Sequence, residues 1–202
     1  MITTDNKLFV FGYNVYGQLG TRDTSKRLVP TNVMNNIKYV SCGWCHTGVI
    51  TTDDKLLMFG HNEYGQLGTG DTQNKLVPTN VMNDIRYVSC GNFHTGVITT
   101  DNKLFMFGNN DQRQLGTGDT QDRSTPINVM NNIKYVSCSN FHTGLITTDN
   151  KLFMFGNNDM GQLGTGDTIW RSKPTHVMND IRYVSCGGYH TGVIGNEYDI
   201  ID

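Results

Sequence analysis

Short apolar runs alternate with polar, glycine-rich stretches along the whole chain. In residues 55–59, Lys55 is followed by four apolar residues, and Gly60 ends the run. Residues 85–90 alternate, so that Val88 and Cys90 fall on one face of an extended chain. Runs of this length are typical of strands, since helices need longer ones. The pattern therefore predicts short β-strands joined by turns.

One stretch of the chain contains four such strands. Gly65–Thr72 has loop chemistry, and Asn83-Asp84 and Asp101-Asn102 are turn signals. Pro78 is expected to open the second strand. The four strands are predicted at residues 55–59, 79–82, 85–90 and 94–100.

The pattern recurs every 48 positions, from residue 2 to residue 194. Four strands in each repeat of about 40–50 residues are typical of a β-propeller, in which neighbouring blades bury each other's faces. We therefore predict an all-β chain of four four-stranded blades. The repeat domain is predicted at 1–194, with repeats at about 11–58, 59–106, 107–154 and 155–194 plus 1–10, and a C-terminal tail at 195–202.

The order of the strands leaves two forms of the last blade open. The chain starts inside a hairpin at Ile2, and the repeat pattern stops at Ile194, so that each strand type occurs four times, sixteen strands in all. The last blade is complete only if both ends share one sheet, which we predict as a clasp that closes the ring. The alternative is an open arc, alone or as part of an assembly.

Composition supports the β prediction and narrows the function. The 202 residues include 23 glycines, no alanine, and glutamate only at Glu63 and Glu197, which argues against a helical bundle or an α/β nucleotide-binding fold. The net charge is −2, so no nucleic-acid partner is expected. No apolar run approaches the length of about 18 residues that a membrane span needs. The start does not read as a signal peptide, which predicts an intracellular location, cytoplasmic or nuclear, and five free cysteines.

Taken together, the motifs of one repeat resemble those of a known family. Phe59-Gly60, Gly65–Thr72, Val77-Pro78, Tyr87–Gly91 and His94-Thr95 resemble the regulator-of-chromosome-condensation repeat, and all four copies carry the resemblance. The resemblance implies a β-propeller, usually of seven blades, whereas four repeats are present here. It also implies, as one expected activity, guanine-nucleotide exchange on a small Ran-like GTPase.

Histidine recurs at one position of every repeat. A ring of imidazoles could serve metal binding or acid–base chemistry, but a catalytic group is needed once and a structural group in every blade. We therefore predict structural roles, with each imidazole bonded to a loop within its own blade. Gly65, Gly68 and Asp71 are assigned to the same structural motif, with Asp71 capping a turn. The histidines are His46, His94, His142 and His190.

Cysteine also recurs, at Cys42, Cys90, Cys138 and Cys186. Four thiolates around an axis could bind zinc, but a free cysteine is also a small hydrophobic residue that packs well in a core. Cys42 and Cys45 have a redox-like spacing without the βαβ context that gives it meaning. We predict packing roles, with no metal site, no cofactor and no catalytic residue.

Positions that differ between copies cluster in three loops, where binding specificity is expected. Trp170 and Arg171 follow an apolar residue in an otherwise polar loop, and tryptophan and arginine are enriched at the centres of protein interfaces. We therefore predict a partner-binding surface with these two residues near its centre. Its members are Trp44, Tyr16, Tyr64, Arg113, Met160, Ile169, Trp170 and Arg171.

The sequence predicts a non-enzymatic scaffold for protein–protein interaction. The alternative is the exchange factor that the resemblance implies. Every repeat has the same length, so we expect no protruding insertion of the kind that the family's founder uses. We also expect no basic tail like the founder's. A protein partner is expected in either case, and a small GTPase in the second. The oligomeric state is left open.

Overall fold

The computed structural model describes residues 1–195, and these residues form sixteen strands and no helix. The described residues therefore include no helix that is long and apolar enough to cross a membrane. The strands are β1 Leu8–Gly12, β2 Arg27–Met34, β3 Ile37–Cys42, β4 His46–Thr51, β5 Leu56–Gly60, β6 Lys75–Met82, β7 Ile85–Cys90, β8 His94–Thr99, β9 Leu104–Gly108, β10 Arg123–Met130, β11 Ile133–Cys138, β12 His142–Thr147, β13 Leu152–Gly156, β14 Arg171–Met178, β15 Ile181–Cys186 and β16 Thr191–Gly195.

The strands predicted in the second copy are all present, and one of them is longer than predicted. β6 begins at Lys75, three residues before Pro78. It is the last strand of its sheet, so proline, which has no N–H group, is tolerated there. At the C-terminus, Gly195 pairs with Ile181 and belongs to β16, although it was assigned to the predicted tail. The rest of that tail, residues 196–202, lies outside the described residues.

Three complete antiparallel sheets form the middle of the chain, with strand orders β3-β4-β5-β6, β7-β8-β9-β10 and β11-β12-β13-β14. Two further sheets, β1-β2 and β15-β16, have two strands each. The four-stranded repeat is confirmed, but the fourth blade is present as two separate halves. Among residues 1–195, strand β16 pairs only with β15 and strand β1 only with β2, so the clasp is not formed in this structure.

Asparagine and aspartate make the tight turns of every repeat. Asp84 lies between β6 and β7, and Asn102 lies between β8 and β9; both have positive φ, at 58° and 65°. These two residue types tolerate the left-handed conformation better than other non-glycine residues. The turn signals in the sequence therefore correspond to the two turns that lie at one end of each blade.

The apolar core lies between neighbouring sheets. In one cluster Ile50 and Met58 of the first complete blade pack with Val88 and Val97 of the second, and all four are fully buried. Gly48 permits this approach, because a Cβ there would lie about 3 Å from Met58 Sδ and Val88. Each blade thus covers one face of the next, which a single sheet could not do alone.

Candidate functional site

The repeated histidines join one blade to the next. His46 Nε2 lies 2.9 Å from Thr95 Oγ1, and His94 Nε2 lies at the same distance from Thr143 Oγ1. The histidine and the threonine belong to different sheets. The expectation of a bond within the same blade was therefore wrong, because His46, the first residue of β4, faces the following blade.

The hydrogen bonds of the threonines show which ring nitrogen of these imidazoles carries the hydrogen. The Thr95 hydroxyl donates to the carbonyl oxygen of Gln66 at 2.8 Å, so it accepts a hydrogen bond from the Nε2–H of His46. Nδ1 of His46 and of His94 is buried without a hydrogen-bond partner in the structure. At the third copy, Ser139 Oγ lies 2.8 Å from His142 Nδ1.

Burial keeps these histidines neutral. Desolvation lowers the pKa of His46 and of His94 to about 3, and that of His142 to about 4. With so low a pKa, each imidazole is in its neutral form near neutral pH. The geometry supports inter-blade hydrogen bonding as the role of these residues.

The glycine-rich loop is organised by a buried asparagine that is not among the predicted site residues. The Asn62 side chain donates to Thr69 and to Asp71, and it accepts from the backbone N–H of Leu67. Asp71 Oδ1 accepts from the backbone of Gln73, while its other oxygen binds Lys75. Asparagine recurs at this position in all four copies, and this recurrence could have identified it from the sequence. The four residues are Asn14, Asn62, Asn110 and Asn158.

The two glycines of this loop have positive φ, and both permit a close approach of the next blade. Gly65 has φ +77° and Gly68 has φ +70°. A Cβ at Gly68 would lie 3.0 Å from the ring of Phe107 in the next blade. The loop of each blade is therefore shaped to receive a phenylalanine from its neighbour.

Three repeat cysteines, Cys90, Cys138 and Cys186, pack between blades, whereas Cys42 is exposed. A Cβ on Gly48 would lie 3.2 Å from Cys90 Sγ, and Gly96 has the same relation to Cys138. Burial raises the pKa of Cys90 to about 12, so its thiol is protonated at neutral pH. All five cysteines are free, and Cys45, which follows Cys42 at the redox-like spacing, is buried. Among residues 1–195 no group of three or more His, Cys, Asp or Glu side chains could hold a metal ion.

Five aromatic rings from four loops meet at one end of the blades. Tyr16 contacts His61 with ring centroids 4.6 Å apart, and Tyr64 contacts Phe93 at 5.1 Å. Trp44 meets the same Phe93 edge-on at 5.1 Å and is 65% exposed. We call Tyr16, Trp44, His61, Tyr64 and Phe93 the aromatic cluster. The structure thus brings together three of the predicted partner-binding residues, and it adds His61 and Phe93.

Trp170 lies at a second cluster on the loops of the following blades. Its Nε1–H donates to Asp159 at 2.8 Å, and the Arg113 guanidinium lies 5.9 Å from the ring centroid. Met160 and Ile169 are 71% and 64% exposed. We call these five residues the tryptophan patch. Arg113 comes from the neighbouring sheet, so the patch spans two blades.

Arg171 is engaged differently from the rest of the predicted surface. Its guanidinium binds Asp167 at 2.6 Å and the carbonyl oxygen of Ile169. Equivalent ion pairs occur in the other copies, as in Lys75 with Asp71. The cation at this position therefore stabilises its own loop in every repeat, and its predicted role in partner binding stays a prediction.

The fold and these inter-blade contacts define a propeller-type repeat protein. A family model described as an RCC1-like domain matches residues 1–197. The chain therefore belongs to the RCC1-like domain family, and the resemblance identified from the sequence is confirmed. A search of curated proteins finds no matching sequence.

Solved structures support the same fold. The chain is similar to human WBSCR16, with a TM-score of 0.85 and 21% identity over 97% of this chain and 55% of that one. It is also similar to yeast RCC1 (Prp20) bound to Kap60, with a TM-score of 0.85 and 22% identity over 97% of this chain and 52% of that one. A second structure of Prp20p, from Saccharomyces cerevisiae, gives 0.83 and 23%, with 97% and 53% covered. The chain spans about half the length of these proteins.

Proposed function

We propose that this protein is a non-enzymatic scaffold that binds a protein partner through the loop face of its blades. The observation that carries the proposal is the aromatic cluster, which exposes Trp44 on a rigid framework of strands. Contiguous apolar surface of this kind is typical of interaction sites, and aromatic residues are enriched in them. The deeply buried, neutral histidines support a structural scaffold around this face.

Removal of an aromatic anchor tests the proposal. We expect peptides to be enriched when a displayed random-peptide library is selected on the immobilised protein. For the enriched peptides, Trp44→Ala and Tyr64→Ala should each weaken binding by about 30-fold, because truncating a central interface residue costs about 2 kcal/mol or more. Ile127→Ala is the matched control, since Ile127 is an exposed apolar residue on the outer strand β10. Equal binding by all variants would contradict the proposal.

The tryptophan patch is proposed as a second contact of the same face. Trp170→Ala should weaken binding of peptides that contact this patch, and should lower the free energy of unfolding only by about 1 kcal/mol, since the indole is partly exposed. The readouts are peptide affinity and thermal melting of the same variant. A large loss of stability with unchanged binding would make Trp170 a purely structural residue.

A second candidate is nucleotide exchange on a Ran-like GTPase. It is favoured by the fold similarity to Prp20p, whose structure is described together with its binding properties to Gsp1p and histones. The test mixes the chain at micromolar concentration with a small GTPase loaded with fluorescent nucleotide. Faster release of the nucleotide supports exchange; release at the intrinsic rate removes this candidate and leaves the scaffold proposal intact.

A further inference from the structure

The two terminal sheets are the two halves of one blade. Strands β15 and β16 correspond to the first and second strands of a complete blade, and β1 and β2 to the third and fourth. In each complete blade the second strand pairs with the third, for example β4 with β5. The free edge of β16 therefore matches the free edge of β1 in strand type, direction and register.

At the β1 edge, a core residue of the repeat is uncovered. Phe59, Phe107 and Phe155 are completely buried, and each lies against a glycine of the preceding blade. Phe11 occupies the same repeat position and is 58% exposed. The glycine that would receive it in a continuous propeller is Gly164, which has only Val177 near its Cβ position, at 3.6 Å.

At the β16 edge, a glycine lacks the neighbours that its copies have. A Cβ on Gly48, Gly96 or Gly144 would lie about 3 Å from side chains of its own blade and of the next one. At Gly192 nothing lies within 4 Å. Its φ is not in the left-handed region, so backbone conformation does not require glycine there. A close approach by another strand, as at Gly48, Gly96 and Gly144, would account for the glycine.

The inter-blade hydrogen bonds also stop at these edges. His142 reaches Thr191 at 2.9 Å, which continues the series of His46 and His94. Among residues 1–195, the imidazole of His190 has no threonine partner, and Thr47 has no histidine partner. One junction between the edges would supply both missing partners.

Each edge borders a groove that lacks half a blade. The groove beside β1 has a volume of about 340 Å³, and its lining includes Phe11, Trp44 and Thr47. The groove beside β16 has about 370 Å³, and its lining includes Gly164 and His190. The first groove lacks a β15-β16 pair, and the second lacks a β1-β2 pair.

The curvature of the arc indicates that a second copy of the chain fills the two grooves. The arc superposes closely on propeller chains of about twice its length, of which it covers 52–55%, so its blades are arranged as in those larger propellers. A four-bladed ring needs about 90° between blades, whereas two arcs joined end to end form eight blades at about 45°. Met1 and Ile2 now lie against β1, with Ile2 bridged to Leu8. The equivalent Val193 and Ile194 of a second copy would replace them.

We propose that two copies of this chain associate head to tail, each β16 edge pairing with the β1 edge of the other, to form an eight-bladed ring. Two identical junctions related by a twofold axis close the assembly and leave no unpaired sheet edge. At each junction Phe11 of one copy packs against Gly164 of the other, and His190 bonds to Thr47. Trp44 and Met160 line the two grooves, so the junctions adjoin the proposed partner-binding loops, but the test below reads the mass of the protein and not the binding of a partner.

The mass of the purified 202-residue chain in solution tests the proposal. Light scattering coupled to size exclusion should give twice the chain mass of 22.6 kDa. Phe11→Asp and Gly192→Leu should each shift the protein to a monomer, because the first removes the packing residue and the second fills the space that β1 needs. Both positions are open in the arc, so melting and circular dichroism should show a folded protein. Ile169→Asp is the control, since it changes a residue as exposed as Phe11 away from both edges, and it should stay dimeric.

Mixing the two variants tests the head-to-tail geometry. Each has one damaged edge and one intact edge, so a mixture of Phe11→Asp and Gly192→Leu can form one intact junction. We expect a two-chain species in the mixture that neither variant forms alone. A parent chain that is monomeric at all concentrations, that forms long polymers, or that stays dimeric with Phe11→Asp would overturn the proposal, as would a mixture that stays monomeric.

Discussion

Lowering the pH from 7 to 5 is expected to reduce the free energy of unfolding by about 6 kcal/mol. The cause is the burial of His46, His94 and His142, whose pKa values are lowered to about 3, 3 and 4. In the unfolded chain a histidine has a pKa near 6.5 and takes up a proton as the pH falls. The folded state cannot do so until the pH approaches 3 to 4, so acid favours unfolding.

The size of the effect follows from linkage between protonation and folding. Between pH 7 and pH 5 each histidine contributes about 2 kcal/mol, and the loss continues until the pH reaches the folded-state pKa. Since small proteins are stable by only about 5–15 kcal/mol, this loss is a large share of the total stability.

Urea unfolding at a series of pH values measures this dependence. The variant His94→Gln keeps an amide that can reach Thr143 but has no group that titrates in this range. It should be less stable than the parent at pH 7 and lose about 2 kcal/mol less between pH 7 and pH 5. A free energy of unfolding that is constant over this interval would contradict the buried, neutral state of the histidines.

Replacement of Phe107 by alanine should lower the free energy of unfolding by about 3–5 kcal/mol. The ring is completely buried and lies against Gly68 of the preceding blade, so its removal leaves a cavity between two sheets. For a chain of this size the loss corresponds to a fall in melting temperature of about 10 °C.

Two variants control for this effect. Phe107→Leu should lose less stability, because it keeps most of the buried apolar volume. Ile127→Ala changes an exposed apolar residue and should alter the melting temperature by little. If Phe107→Ala melts at the same temperature as Ile127→Ala, the contact between blades does not carry the stability assigned to it.

The sequence by itself determined the strands, the turns and the family. Apolar alternation identified Ile85–Cys90 because a strand places successive side chains on opposite faces, which is a local property. Asn102 marked a turn because its side chain type tolerates positive φ. The 48-residue period then predicted four strands in each repeat, since every copy has the same local pattern.

Only the tertiary structure decided which residues act together. His46 bonds to Thr95, which is 49 residues away and in another sheet, and Tyr16 meets His61 across the same kind of boundary. The tertiary structure also shows that the fourth blade is present as two separate halves. A repeat pattern describes one blade at a time, whereas these features depend on how far each blade is rotated relative to the next. That rotation is set by packing between sheets, for example where Gly48 receives Val88 and Cys90, and local sequence preference does not specify it.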